Sequence, residues 1–166
     1  MQVREYRQQD FDELWRLDQE CFPPALAYSR AELMHYIRHR GTQTLVAEND
    51  AGSISGFAVA QSLPMRGQTE DRGRVLVGHI ITLDVRKHAR RRGIGDLLMN
   101  AAEAWLSHAG CEVVYLETAV DNHTAIAFYK KHGYGVLRTA PRYYNGKLDA
   151  LVMGKRMSRS SAPVDG

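Results

Sequence analysis

Apolar positions along the chain recur with two periods, and the switches between them mark the elements. Leu14, Trp15, Leu17 and Cys21 follow helical spacing after Asp10-Phe11-Asp12-Glu13, where a capping residue with Glu three places on predicts a helix start. Pro23-Pro24 stops that helix. Ser29-Arg30-Ala31-Glu32 is a second capping box; it opens a helix with the stripe Leu33, Met34 and Ile37, closed at Gly41. The pattern then becomes that of strands at 43–48 and 54–62, joined across Asn49-Asp50-Ala51-Gly52. Residues 63–74 are polar, contain Pro64, Gly67 and Gly73, and read as a loop before a long strand at about 75–85.

The clearest period spans 94–108. Ile94, Leu97, Leu98, Ala101, Ala102, Trp105 and Leu106 form one helical face, with Asp96, Asn100, Glu103 and Ser107 on the other and Gly110 at the end. Residues 112–118 alternate as a strand. Asp121 or Asn122 caps a short helix that stops at Gly133. Two last strands, about 134–139 and 149–155, flank a loop at 141–147. The polar, Ser-rich stretch 158–166 is expected to be a disordered tail. With no repeat and no linker, 1–157 reads as one domain, a mixed sheet covered by helices.

Composition narrows the class. The 166 residues are 44% hydrophobic and 25% charged, values of a globular chain. No apolar run approaches the ~20 residues of a membrane span, and the first residues lack a signal core, so a cytoplasmic location is expected. Cys21 and Cys111 are expected to be free thiols. The seven histidines are scattered; His35 and His39 share a helix face but lack further ligands, so no metal is expected.

A net charge of +3 conceals five fixed positive charges in the seven residues Arg86-Lys87-His88-Ala89-Arg90-Arg91-Arg92. Such a run suits a solvated loop, a nucleic-acid patch or an anion site. The glycines next in the chain favour the anion site. Arg90-Arg91-Arg92-Gly93-Ile94-Gly95-Asp96 joins a strand to the best helix, where unpaired N–H groups and the positive end of the dipole attract phosphate. A nucleotide P-loop would need Gly-Lys-Ser/Thr, but Gly95 precedes Asp96 and Leu97. A dinucleotide fingerprint would need a third glycine where Leu98 stands. The pyrophosphate of another cofactor remains, and nucleic acid is not the expected partner.

Arg90-x-x-Gly93-x-Gly95 resembles the Q/R-x-x-G-x-G/A signature of the GNAT acetyltransferases, and Asn122-x-x-Ala125-x-x-Phe128-Tyr129-x-x-x-Gly133-Tyr134 resembles a second block of that family. Shorter matches are similar to the RimI-like enzymes, which acetylate protein N-terminal α-amines, including those of ribosomal proteins. They are Glu20-Cys21-Phe22-Pro23, His79-Ile80-Ile81-Thr82-Leu83-Asp84-Val85 and Arg142-Tyr143-Tyr144-x-Gly146-x-x-Asp149-Ala150-x-x-Met153. Two departures stand out: Lys87 where a proline usually follows the central strand, and Asp84 where a small residue is usual. The resemblance implies an α/β (α+β) GNAT fold, a mixed and mostly antiparallel sheet of about six to seven strands flanked by about four helices. It implies acetyl-CoA as cofactor, with its pantetheine arm on the backbone of Leu83, Asp84 and Val85. Its pyrophosphate would lie on Arg91, Arg92, Gly93, Ile94, Gly95 and Asp96, and Asn122 would also contact the cofactor. It further implies Glu117 as general base, Tyr129 as general acid, and Tyr143 and Tyr144 near the acceptor.

The residues allow this chemistry. Acetyl transfer to an amine needs a neutral nucleophile, a polarised thioester and a proton for the departing thiolate. Glu117 shares a strand face with Val113 and Tyr115, and half-burial suits a carboxylate to act as a base; an ion pair with an arginine is the plainer alternative. Tyr129 shares a helix face with Ala125 and Ile126, which by itself reads as core. Neither cysteine stands where a nucleophile is expected, so direct attack in a ternary complex is predicted. An α-amine titrates near ~8 and a lysine near ~10.4, so a single weak base suits the α-amine better. Acetylation of lysine or of a small amine is the alternative, and a non-catalytic acyl-CoA sensor a third reading.

Overall fold

The computed structural model describes residues 1–66, 74–144 and 148–158, without the side chains of Arg66, Arg74, Arg142 and Tyr144. Among these residues seven strands form one sheet: β1 (Gln2–Glu5), β2 (Thr42–Glu48), β3 (Ile54–Arg66), β4 (Arg74–Val85), β5 (Val113–Ala119), β6 (Gly135–Tyr144) and β7 (Leu148–Arg156). Their spatial order is β1-β2-β3-β4-β5-β7-β6. All neighbours are antiparallel except β4 and β5. The helices are α1 (Phe11–Cys21), α2 (Arg30–Arg38), α3 (Ile94–His108) and α4 (His123–Lys131). This is the mixed, mostly antiparallel α/β fold that the sequence implied.

Strand alternation sorts the apolar residues into two layers. On one face Phe11, Leu14 and Leu17 of α1 and Leu33 of α2 pack on Val46, Phe57 and Val59. On the other, Ile94, Leu98, Met99, Ala102 and Leu106 of α3 pack on Ala47, Ala58, Ala60, Ile80, Val114 and Leu116, with Ile126, Phe128 and Tyr129 of α4 alongside. Small residues on the α3 face draw the helix in: a Cβ at Gly78 would meet Leu106 side-chain carbons at 2.9 and 3.0 Å. Each fully buried leucine contributes about 1.5–3 kcal/mol. Leu97, counted in the apolar stripe from sequence, is 43% exposed, so the stripe runs through Met99 instead.

The polar-loop reading of 63–74 and the 141–147 loop are both corrected. Leu63, Pro64, Met65 and Arg66 continue β3 opposite Val77, Leu76, Val75 and Arg74 of β4; residues 67–73 lie outside the described residues. Pro64 fits because β2 ends at Thr42 opposite Gln61, leaving β3 an edge strand that needs no amide donor there. Residues 141–144 likewise extend β6, and 145–147 and the 159–166 part of the tail lie outside the described residues.

The sequence pattern did not reveal β1. Four residues with no buried position carry little periodicity, and charge holds them: Arg4 pairs with Asp10 (2.8 and 3.0 Å) and with Glu48. Asp10 therefore does not cap α1 by its side chain, as expected; its carboxylate takes Arg4 and the Arg7 amide (2.7 Å). The Ser29 capping box forms as read, Ser29 Oγ accepting from the Glu32 amide and Glu32 from the Ser29 amide, each at 3.1 Å.

What matters for function is where the sheet comes apart. β4 and β5 pair only over Val77–Ile80 and Val113–Leu116. Beyond that point β4 stays with β3 as far as Val85, and β5 stays with β7 as far as Ala119. A bulge, in which Thr82 pairs with Val59 and Ile80 with Ala60, leaves Ile81 as the extra residue where the strands part.

The Arg4 clamp yields a test. Arg4→Met should cost about 3 kcal/mol, because Asp10, 6% exposed, would be left buried without its cation. The hydrogen bond from Arg4 holds the Asp10 carboxyl below its usual range. That stabilisation is present above the unfolded carboxylate range and lost as pH falls through Asp10's lowered value. Urea melts at acid and neutral pH should therefore show the variant's deficit shrinking at low pH.

Candidate active site

The strand split leaves a wedge whose two walls carry different chemistry. On the α1/α2 face, at the point of parting, His79 of β4 and Glu117 of β5 meet: Nε2 and Oε2 are 2.6 Å apart, and the side chains are 16% and 15% exposed. Parallel register makes this contact, since His79 stands opposite Tyr115, two places before Glu117 on the same face. The Tyr115 ring stacks on His79 with centroids 4.3 Å apart and planes 6° apart, fixing the imidazole. Three more tyrosines gather there. Tyr28 and Tyr36 contact edge to face at 5.4 Å, and the Tyr28 hydroxyl points to the Ile81 carbonyl at 3.5 Å. Burial, then the neighbouring Glu117, Tyr36 and Tyr115, pushes the Tyr143 hydroxyl up to about 12.

On the other wall stands the start of α3. Its N-cap, Gly93, has a left-handed backbone (φ +79°) and offers no side chain to the first amides. Those N–H groups lack intrahelical acceptors by geometry. A Cβ at Gly93 would meet nothing within 4 Å, so the approach is open. Arg91 is also left-handed (φ 61°) and follows an extended Arg90 (φ −68°, ψ 159°), so the chain turns sharply just ahead of the open helix end. Arg91 and Arg92 are exposed at its rim, whereas Arg90 donates from Nε to the Val85 carbonyl at 3.1 Å. These features fit the diphosphate of a CoA ester: an uncapped helix end, an open glycine and free-standing cations. Gly95 serves packing, since a Cβ there would press on the Phe128 ring at 3.2 and 3.3 Å.

Several expected residues have further duties. The Asp96 carboxylate faces α4, taking His132 Nε2 at 2.7 Å and Lys131 Nζ at 3.3 Å, and these partners hold it below the usual range. Asn122 Oδ1 caps α4 through the Ala125 amide at 3.1 Å. The Val85 carbonyl already accepts from Arg90 and from Cys21 Sγ (3.4 Å). Leu83 turns to the α3 face beside Gly95. Asp84 turns to the opposite face and is buried. Tyr129 reaches in from α4; burial, and next the charge on Asp84, raise its hydroxyl strongly. The side chain of Tyr144 is outside the described residues. His79 is the residue that sequence reasoning missed. It was one of seven scattered histidines, and its only signal was its place on the strand that pairs in parallel with that of Glu117.

A profile of the acetyltransferase (GNAT) family matches residues 11–134. An N-alpha-acetyltransferase of Sulfolobus acidocaldarius is 27% identical over 161 residues, covering 92% of this chain and 90% of that protein. The crystal structure of Chaetomium thermophilum Naa20 in complex with a bisubstrate analogue superposes with a TM-score of 0.80 at 30% identity, covering 96% of this chain and 88% of that one. The ribosomal-protein-S18-alanine N-acetyltransferase of Escherichia coli shares the fold, with a TM-score of 0.75 at 18% identity over 97% of each chain.

Gly93→Ala tests the cradle. A left-handed alanine costs about 1 kcal/mol, and its methyl would occupy the open approach. Calorimetry should show affinity for CoA falling by about tenfold or more, with only a small drop in thermal midpoint.

Proposed function

The chain belongs to the acetyltransferase (GNAT) family, and from that premise we propose that it transfers the acetyl group of acetyl-CoA to the α-amine of a protein N-terminus. The observation that carries this reading is the His79–Glu117 pair at the strand split, with the open end of α3 on the opposite face. Relatives named N-alpha-acetyltransferase support the choice of acceptor. Acetyl-CoA supplies the thioester; the backbone of residues 91–96, with Arg91 and Arg92, would hold its diphosphate, and the free edge of β4 near Leu83 would align its arm.

Glu117 accepts the proton that the incoming ammonium must lose, and the hydrogen bond with His79 fixes the carboxylate toward the groove. Tyr28, Tyr36, Tyr115 and Tyr143 give that groove rigid aromatic walls with polar tips, suited to a peptide's first residues. Tyr129 keeps its proton at neutral pH and offers it to the departing thiolate. Direct attack is supported by the state of the thiols. Cys21 is pushed up to about 11, chiefly by burial, and Cys111 is buried with Sγ 3.4 Å from Ser62 Oγ, so neither is a ready nucleophile. Among the described residues no helix is long and apolar enough to cross a membrane. A cytosolic peptide end, such as that of a ribosomal protein, is the acceptor to test first.

Peptides with free and blocked N-termini, assayed beside lysine peptides and polyamines, decide the acceptor; activity on small amines alone would overturn the proposal. Glu117→Gln should lower kcat by about 100-fold or more while acetyl-CoA affinity stays within about twofold. His79→Gln should lower it by about tenfold, and Tyr129→Phe should slow turnover rather than weaken peptide binding.

A further inference from the structure

Asp18 of α1 and Asp84 of β4 take no part in the base or the cradle, yet they are 0% and 1% exposed. Both lie on the α1/α2 face, next to the wedge. One oxygen of each is satisfied: Asp18 Oδ2 accepts from the Tyr28 amide at 2.8 Å and from Gln19 Nε2 at 3.4 Å, and Asp84 Oδ1 accepts from Thr82 Oγ1 at 2.6 Å. The other two, Asp18 Oδ1 and Asp84 Oδ2, are buried and meet no donor among the described residues. Helix α1 packs on β4, and each carboxyl acts directly on the other. Two carboxylates have no hydrogen to share, whereas an acid and a carboxylate do.

The surroundings count charge the same way. The charge of Arg90 acts on Asp84 and that of Glu32 on Asp18, and Cys21, Tyr28 and Tyr129 feel the charge of Asp84. One guanidinium offsets one negative charge, not two, in a setting where water cannot screen the second.

We propose that Asp18 and Asp84 hold one proton between them at neutral pH, and that this proton spares Tyr129 from facing a fully charged Asp84. They are positioning residues that act through the proposed acid, so the inference rests on that reading of Tyr129. With a fully charged Asp84 beside it, a phenol that is already hard to ionise gives its proton to a thiolate less readily. Loss of the shared proton should therefore slow turnover at alkaline pH.

The linkage has a definite sign. Burial lifts both carboxyls above their usual range, Asp84 the more. A raised carboxyl weakens folding as pH climbs from the unfolded value to the folded one. The pair thus costs stability at neutral and alkaline pH, which an amide in its place would relieve by donating the missing hydrogen.

The experiment compares the full chain with Asp84→Asn and, reciprocally, Asp18→Asn. Infrared spectra without substrate should show one neutral-carboxyl C=O band near neutral pH that is lost in both variants. Thermal midpoints from about pH 5 to about pH 9 should fall with pH in the parent and stay flatter in the variants, which become the more stable at the alkaline end. With acetyl-CoA and a peptide, the alkaline limb of kcat should move up by about one pH unit or more in Asp84→Asn. No carboxyl band, or variants less stable at every pH, or an unmoved alkaline limb, would each overturn the proposal. A parent without acetyl-transfer activity would instead sink the functional reading, leaving the infrared and thermal results to judge the pair.

Discussion

Hydrogen bonding between β4 and β5 lasts for four residues and then fails, and the layout of the site is a consequence of that failure. Each strand keeps its other neighbour, β3 for one and β7 for the other, so the sheet opens without either strand losing its support. A cleft made this way has walls of extended backbone, which are stiff, and an unpaired edge that can accept an extended ligand arm. The bulge at Ile81 turns β4 away at the very residue where pairing ends.

In the proposed reaction the two faces of the sheet would supply unlike halves. The α3 face brings an uncapped helix end and its arginines, a place for negative charge. The α1/α2 face brings His79, Glu117 and a set of tyrosines, a place for an amine. Asp84 and Tyr129 lie near the passage between the two halves, where a charge on one face is felt on the other because little water intervenes.

Burial sets a recurring cost here, and the chain meets it by pairing. Asp10 is buried with Arg4; Glu117 has His79; Asp96 has His132 and Lys131. Asp18 and Asp84 depart from this pattern, since one oxygen of each is buried without a donor among the described residues. Two buried carboxyls side by side lower stability when both are charged.

Local pattern is enough for the helices, the central strands and the glycine-rich loop ahead of α3, because each of those signals is short-range. The α3 period, the Ser29 box and Gly93 in front of a helix each work within a few residues. The family resemblance also named two candidates: Tyr129 within the second motif, and Glu117 by its place on the strand before that motif. Tertiary structure alone decided what depends on partners distant in the chain. β1 is held partly by the ion pair of Arg4 with Glu48, 44 residues away, and Pro64 could remain in a strand because β2 had already ended. His79 became part of the site through parallel register with β5, and Asp18 met Asp84 because α1 packs on β4. Short-range pattern reports backbone periodicity and capping; it holds no record of which side chains a folded sheet will set face to face.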